Sequence, residues 1–101
     1  MATVTSKALA RQAAATSSTT LYTVPASTTT VVTNIVVTNT TGTAGTFSLL
    51  LDDVSLATTV SVGAYDSTII DLKQVLATTK TIKGLASAIT INFHISGVEI
   101  A

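Results

Sequence analysis

The chain has 101 residues, no cysteine, and five basic against five acidic residues, for a formal net charge of zero. That length allows one domain with a modest core, and the missing cysteine excludes disulfides, a thiolate nucleophile and a thiolate-held metal. Charged residues are 10% of the sequence against about 25% in ordinary domains, which leaves no basic patch for nucleic acid or an anionic membrane surface.

Two residues in five are Thr, Val or Ile. Such side chains are stiff at χ1 and suit a pleated surface, so the composition is that of an all-β protein. Mean hydropathy is +0.61. A surface this poor in ions tends to associate, and the expected partners are copies of the same chain or other subunits.

Residues 1–18, "MATVTSKALARQAAATSS", differ from the remainder. "SKALARQAAA" favours helix, with Lys7 and Arg11 on one face at i, i+4, yet ten residues of helix are marginal alone. The segment reads as an N-terminal arm, extended or briefly helical, that orders against a partner, with a frayed terminus as the alternative. It has no apolar run of signal-peptide length, so the expected site of synthesis is the cytoplasm.

From residue 19 the pattern becomes that of strands in one domain, 19–101. Leu21 to Val24 form a short strand ended by Pro25, which suits an edge or a strand end. "TTTVVTNIVVTN" (28–39) is a long strand with apolar residues on both faces, which means cover on two sides or a bulge that shifts its phase. "TTGTAG" is a loop. "TFSLLLD" (46–52) alternates cleanly, Asp52–Asp53 make a tight turn, and "VSLATTVSV" (54–62) returns to complete a hairpin. "GAYDS" is a turn and 68–73 a strand. Residues 75–84 form a weaker strand with room for a loop inside it. In "SAITINFHISGVEI" (87–100), Ile89, Ile91, Phe93 and Ile95 face one way. The apolar phase flips after Gly97, so a bulge is expected at Ser96–Gly97. Seven or eight strands at this spacing indicate a single antiparallel β-sandwich or small barrel.

A search for chemistry finds little. His94 is the lone imidazole, flanked on its own face by Asn92 and Ser96. A triad could draw on Asp52, Asp53, Asp66 or Asp71, but no nucleophile-elbow sequence exists. A calcium cage needs six or more oxygens and a zinc site more than one histidine. Tyr22 reads as half-buried with a wet hydroxyl, and Tyr65 as a turn residue able to anchor an interface. Asn39-Thr40-Thr41 is a formal glycosylation sequon. The expectation is no enzyme, no catalytic residue, no cofactor and no metal.

"LYTVPASTTTVVTNIVVTNTTGTAGTFSLLLD" and the closing "INFHISGVEIA" resemble a family of small virion proteins of tailed bacteriophages, which share an L-Y-T-V-P-A segment, a Thr/Val strand ending in Val-x-Asn-Thr, and a terminal Gly-x-Glu-Ile. "SKALARQAAATSSTTLYTVP" is similar to the short arm of that family. Val75 to Leu85 departs from the family form of a Leu-rich turn followed by Gly-Asp. The resemblance implies a jelly-roll-like sandwich in a phage particle with no catalytic residues to transfer. It implies a capsid decoration or cement protein, commonly a homotrimer that joins neighbouring major capsid subunits. A tail, neck or fibre component is the rival within that class; a carbohydrate-binding adhesion module and a pilin-like subunit lie outside it. Candidate interface residues are Lys7, Leu9, Arg11, Tyr22, Tyr65 and His94.

Overall fold

The structure is a computed structural model that describes residues 3–101. Eight strands run in chain order: β1 (Val4–Ala13), β2 (Thr19–Thr23), β3 (Thr29–Asn39), β4 (Gly45–Leu51), β5 (Val54–Val62), β6 (Ser67–Leu76), β7 (Thr81–Ala86) and β8 (Ile91–Ile100). They form two antiparallel sheets, β1-β8-β3-β6 (sheet I) and β2-β7-β4-β5 (sheet II). β1 pairs with β8, β2 with β7, β3 with β6 and β4 with β5. This nested pairing is one long antiparallel ribbon rolled into a sandwich, the jelly roll.

The inner faces enclose Val32, Ile35 and Val37 of β3, Phe47 and Leu49 of β4, Ile82 of β7, and Ile91, Phe93 and Ile95 of β8. Phe47 of sheet II meets Phe93 of sheet I edge to face, ring centroids 6.3 Å apart. Fully burying each of these side chains contributes about 1.5–3 kcal/mol. The β4–β5 hairpin turns on Asp52 and Asp53, both with positive φ (53° and 60°), as a two-residue primed turn requires.

Bulges settle the phase questions. In β3, Thr33 is the extra residue between Val32 and Asn34, so Thr30 and Val32 point inward before it and Ile35, Val37 and Asn39 after it. β8 itself runs regularly through Ser96–Gly97; the extra residues are on its neighbours, Thr33 of β3 opposite Ser96–Gly97 and Leu9 of β1 opposite Ile95–Ser96. The expected bulge in β8 is thus on its neighbours. As a result Glu99 keeps the inward phase of Phe93 and Ile95, while Val98 and Ile100 face outward. A Cβ on Gly97 would collide with the Val31 carbonyl oxygen and reach Leu9 Cδ1 at 2.9 Å, so only glycine fits beneath the bulge.

Two expectations need correction, at the N-terminus and at the last strand, and one is refined. Val4–Ala13 takes the extended and not the helical alternative, and it orders against its own chain and not a partner: it adds to the edge of β8, where the ladder and the burial of Leu9 and Ala10 repay its ordering better than an isolated short helix could. The weak strand at 75–84 does hold a loop: it is two strand ends around the turn 77–80. The last strand starts at Ile91, and Ile89 lies in the preceding turn, 70% exposed.

All four loops at one end of the sandwich, 14–18, 40–44, 63–66 and 87–90, gather together. The other end carries the turns 24–28, 52–53 and 77–80 and residues 3 and 101, whose backbones pair (Ala101 N to Thr3 O, 2.9 Å).

Candidate interaction surface

Lys7, Tyr22, Thr30 and Glu99 come from four strands and meet where the two sheets close. The β2 bulge at Leu21 turns both Leu21 and Tyr22 inward. Tyr22 therefore reaches across the sandwich, and its hydroxyl donates to Glu99 Oε2 and lies 2.8 Å from Thr30 Oγ1. Lys7 Nζ stands 3.2 Å from Glu99 Oε1, whose side chain is 13% exposed. The Tyr22 hydroxyl, helped by Lys7, holds the Glu99 carboxyl below the usual range against an opposing effect of burial. Burial and then the adjacent carboxylate push the Tyr22 phenol up to about 12. This is a clasp between sheets: its groups satisfy one another, and none is free to exchange a proton with a substrate.

The outer face of sheet I is a second feature. Register places Ser6, Val98, Val31 and Val75 in one row across it, then Ala8, Ser96, Asn34 and Asp71, then Arg11, His94, Val36 and Ile69. Val4, Ile69 and Val75, on its two edge strands, are largely exposed. Lys7–Glu99, Lys80–Asp52 and Lys83–Asp53 are ion pairs. Among the described residues Arg11, Asp66, Asp71 and Lys73 have no such partner; Asp66 is in the β5–β6 loop, and the other three lie on the edge strands of sheet I.

The loop end is the third. Tyr65 is 77% exposed and its ring lies over Gly42. Its N–H donates to the Thr41 carbonyl at 3.0 Å. The buried Asn39 amide ties the loops below it, donating to Thr43 O (2.8 Å) and Gly63 O (3.2 Å). An amide committed in this way is no glycan acceptor, whatever the sequon. Ile89 projects from the same end, which carries a single charged side chain, Asp66. On the outside of sheet II a cleft of about 200 Å³ carries the hydroxyls of Thr16, Thr46, Ser48, Thr59 and Ser87 and no titratable group.

The sequence matches no protein-family profile and no curated protein. Solved structures do match. A chain in the acid-stable capsid of Helicobacter pylori bacteriophage KHP30 is similar over 100% of this chain and 94% of its own, with a TM-score of 0.56 at 10% identity. A chain of infectious bursal disease virus, Gx strain, is similar over 98% of this chain, with a TM-score of 0.51 at 13% identity; this chain spans 31% of it. A pentameric capsid protein from metagenomic phage sequences is similar over 97% of this chain, at a TM-score of 0.37 and 14% identity. The first two likenesses are likenesses of fold.

The six candidate interface residues fall in different places. Lys7 and Tyr22 join the clasp, so the Tyr22 hydroxyl is bonded and not wet as expected. Leu9 is in the core. Arg11 and His94 are neighbours on the outer face of sheet I, and Tyr65 stands alone at the loop end. Sequence reasoning missed Glu99 and Thr30. One signal was available: Glu99 is the lone carboxylate in phase with Ile91, Phe93 and Ile95.

Proposed function

We propose that this chain is a non-enzymatic structural protein of a tailed-bacteriophage virion, a decoration or cement protein that sits on the assembled major capsid lattice as a homotrimer. The observation that carries the reading is the end-to-end likeness to a phage capsid chain of similar length. The sequence resemblance to small virion proteins points the same way.

The loop end is the docking surface. Uncharged hydroxyl and methyl groups can be buried there without the cost of desolvating ions, and Tyr65 supplies an aromatic anchor of the kind enriched at interfaces. Size argues for docking as an oligomer. The cross-section of 21 × 18 Å offers about 400 Å², half the ≈800 Å² per partner of a stable interface. Three copies side by side exceed that, and repetition over a lattice multiplies the effect.

The test is imaging of purified particles that carry a tag after Ala101, at the end remote from the docking loops. Regular density on the outside of the head is expected. Density restricted to neck, tail or fibres would replace decoration with the rival station, and unlabelled particles would remove the virion reading.

A further inference from the structure

The two sheets treat their edges differently. In sheet II, β2 is five residues long, bulged at Leu21 and followed by Pro25, and β5 carries two register shifts opposite β4. These are devices that blunt an edge. In sheet I the edges are β1 and β6, each ten residues long and free of proline. Each has one irregularity, and the two lie one rung apart: Leu9 on β1 at the level of Ile95–Ser96, and Leu72–Lys73 facing Thr33 on β6 at the level of Ser96–Gly97. The edges of sheet I match each other in length, and their bulges lie within one rung of each other.

We infer that β6 of one copy pairs antiparallel with β1 of the next, so that sheet I continues from copy to copy and closes a ring of three. Polarity allows it. β1, β8, β3 and β6 alternate in direction across the sheet, so a copy rotated about an axis along the strands brings β6 beside β1 in antiparallel sense. Because the two bulges fall within one rung of each other, the rows on either side of them stay aligned across the junction. Val75 of one copy then lies opposite Ser6 of the next and diagonal to Val4. Ile69 lies opposite Arg11, and Asp71 diagonal to it, within reach of a long side chain. The exposed apolar residues of both edges are thereby covered, and Arg11 and Asp71, unpaired within one copy, meet as opposite charges. A head-to-tail junction of this kind gives a ring if the rotation closes. Sheet II of each copy covers the inner side of sheet I, so the ring bends the other way and turns the outer faces of sheet I, with Val31, Val98 and His94, toward the axis.

The junction supplies the trimer of the proposed function but does not depend on the capsid. Light scattering on the full chain at micromolar concentration is expected to give a trimer, and Arg11→Asp or Asp71→Arg alone is expected to reduce it to monomer. The two substitutions in one chain are expected to restore the trimer, which a merely misfolded variant would not do. Crosslinking gives a second reading, because the native chain has no cysteine. Positions 6 and 75 lie three strands apart in one copy, roughly 14 Å at 4.7–4.9 Å per strand, beyond disulfide reach. Oxidation of the Ser6→Cys, Val75→Cys double variant should therefore yield a covalent trimer on a denaturing gel, and neither single variant should crosslink. A monomeric wild type, no crosslink in the double variant, or covalent dimers of Ser6→Cys alone would overturn the junction. Head density with a monomer in solution would leave decoration standing without this junction, and a trimer absent from virions would do the reverse.

Discussion

The Tyr22 hydroxyl donates to the Glu99 carboxylate across 77 residues of sequence, and this bond closes the sandwich where β2 of sheet II approaches β8 of sheet I. Its loss is measurable. Tyr22→Phe keeps the ring but removes the donor to Glu99 and leaves the fully buried Thr30 hydroxyl without that neighbour. Hydrogen bonds to charged groups are worth about 1.5–3 kcal/mol, so urea unfolding should show a loss of about 2 kcal/mol. An unchanged midpoint would mean that the clasp contributes nothing to stability.

The same clasp sets two limbs of the pH profile. The Glu99 carboxyl is lowered in the folded state, chiefly by Tyr22. Its contribution is therefore present above the unfolded carboxyl value and lost as pH falls through the folded one. At the alkaline side the Tyr22 phenol is raised from 10.0 to about 12. The unfolded chain releases that proton first, so the contribution is intact below pH 10 and declines as pH rises toward 12. Urea midpoints across pH should show both losses. Glu99→Gln is expected to flatten the acid limb and Tyr22→Phe the alkaline one; limbs unaltered by these variants would place their origin elsewhere.

Local features of this fold were legible in the sequence, and features that depend on pairing were not. The β4–β5 hairpin and its Asp52–Asp53 turn follow from alternation and turn chemistry within a dozen residues. So does the alternative of a bulge in β3, because Val31, Val32, Ile35 and Val36 cannot share one face of a regular strand. β1 was missed because Ala, Leu, Arg and Gln favour helix locally, while its strand is made by β8 some ninety residues away. The inward turn of Glu99 was missed for a related reason: the bulges that explain the phase after Gly97 sit on β1 and β3, and one sequence does not announce its partners. Of the candidate residues, Tyr65 was placed correctly in a turn, because a turn needs only its own neighbours.

Gly97 is a position where the backbone geometry admits one residue type. A methyl group there would strike the Val31 carbonyl, which is held in the ladder and cannot move aside, and would press on Leu9. Overpacking of this kind costs about 1–3 kcal/mol, so Gly97→Ala should lower the thermal midpoint clearly. At Gly42 the added carbon meets only the Tyr65 ring at 3.4 Å, and the unfolded chain loses entropy, which favours the alanine variant by about 0.4–1 kcal/mol. Gly42→Ala should be neutral or stabilising. Equal effects at both sites would contradict the packing around β1 and β8.

Tyr65 separates stability from attachment. It holds φ at 52°, a conformation that costs a bulky residue about 1–2 kcal/mol and asparagine less. Tyr65→Asn keeps the N–H bonded to the Thr41 carbonyl and relieves that strain, so its thermal midpoint should equal or exceed that of the wild type. If the exposed ring is the docking anchor, the same variant should lose occupancy on purified particles by tenfold or more, about 1.4 kcal/mol. Binding of the variant to particles stripped of the native protein checks this directly. A more stable variant that still attaches fully would show that the strained tyrosine serves something other than docking and move the contact surface away from the loop end.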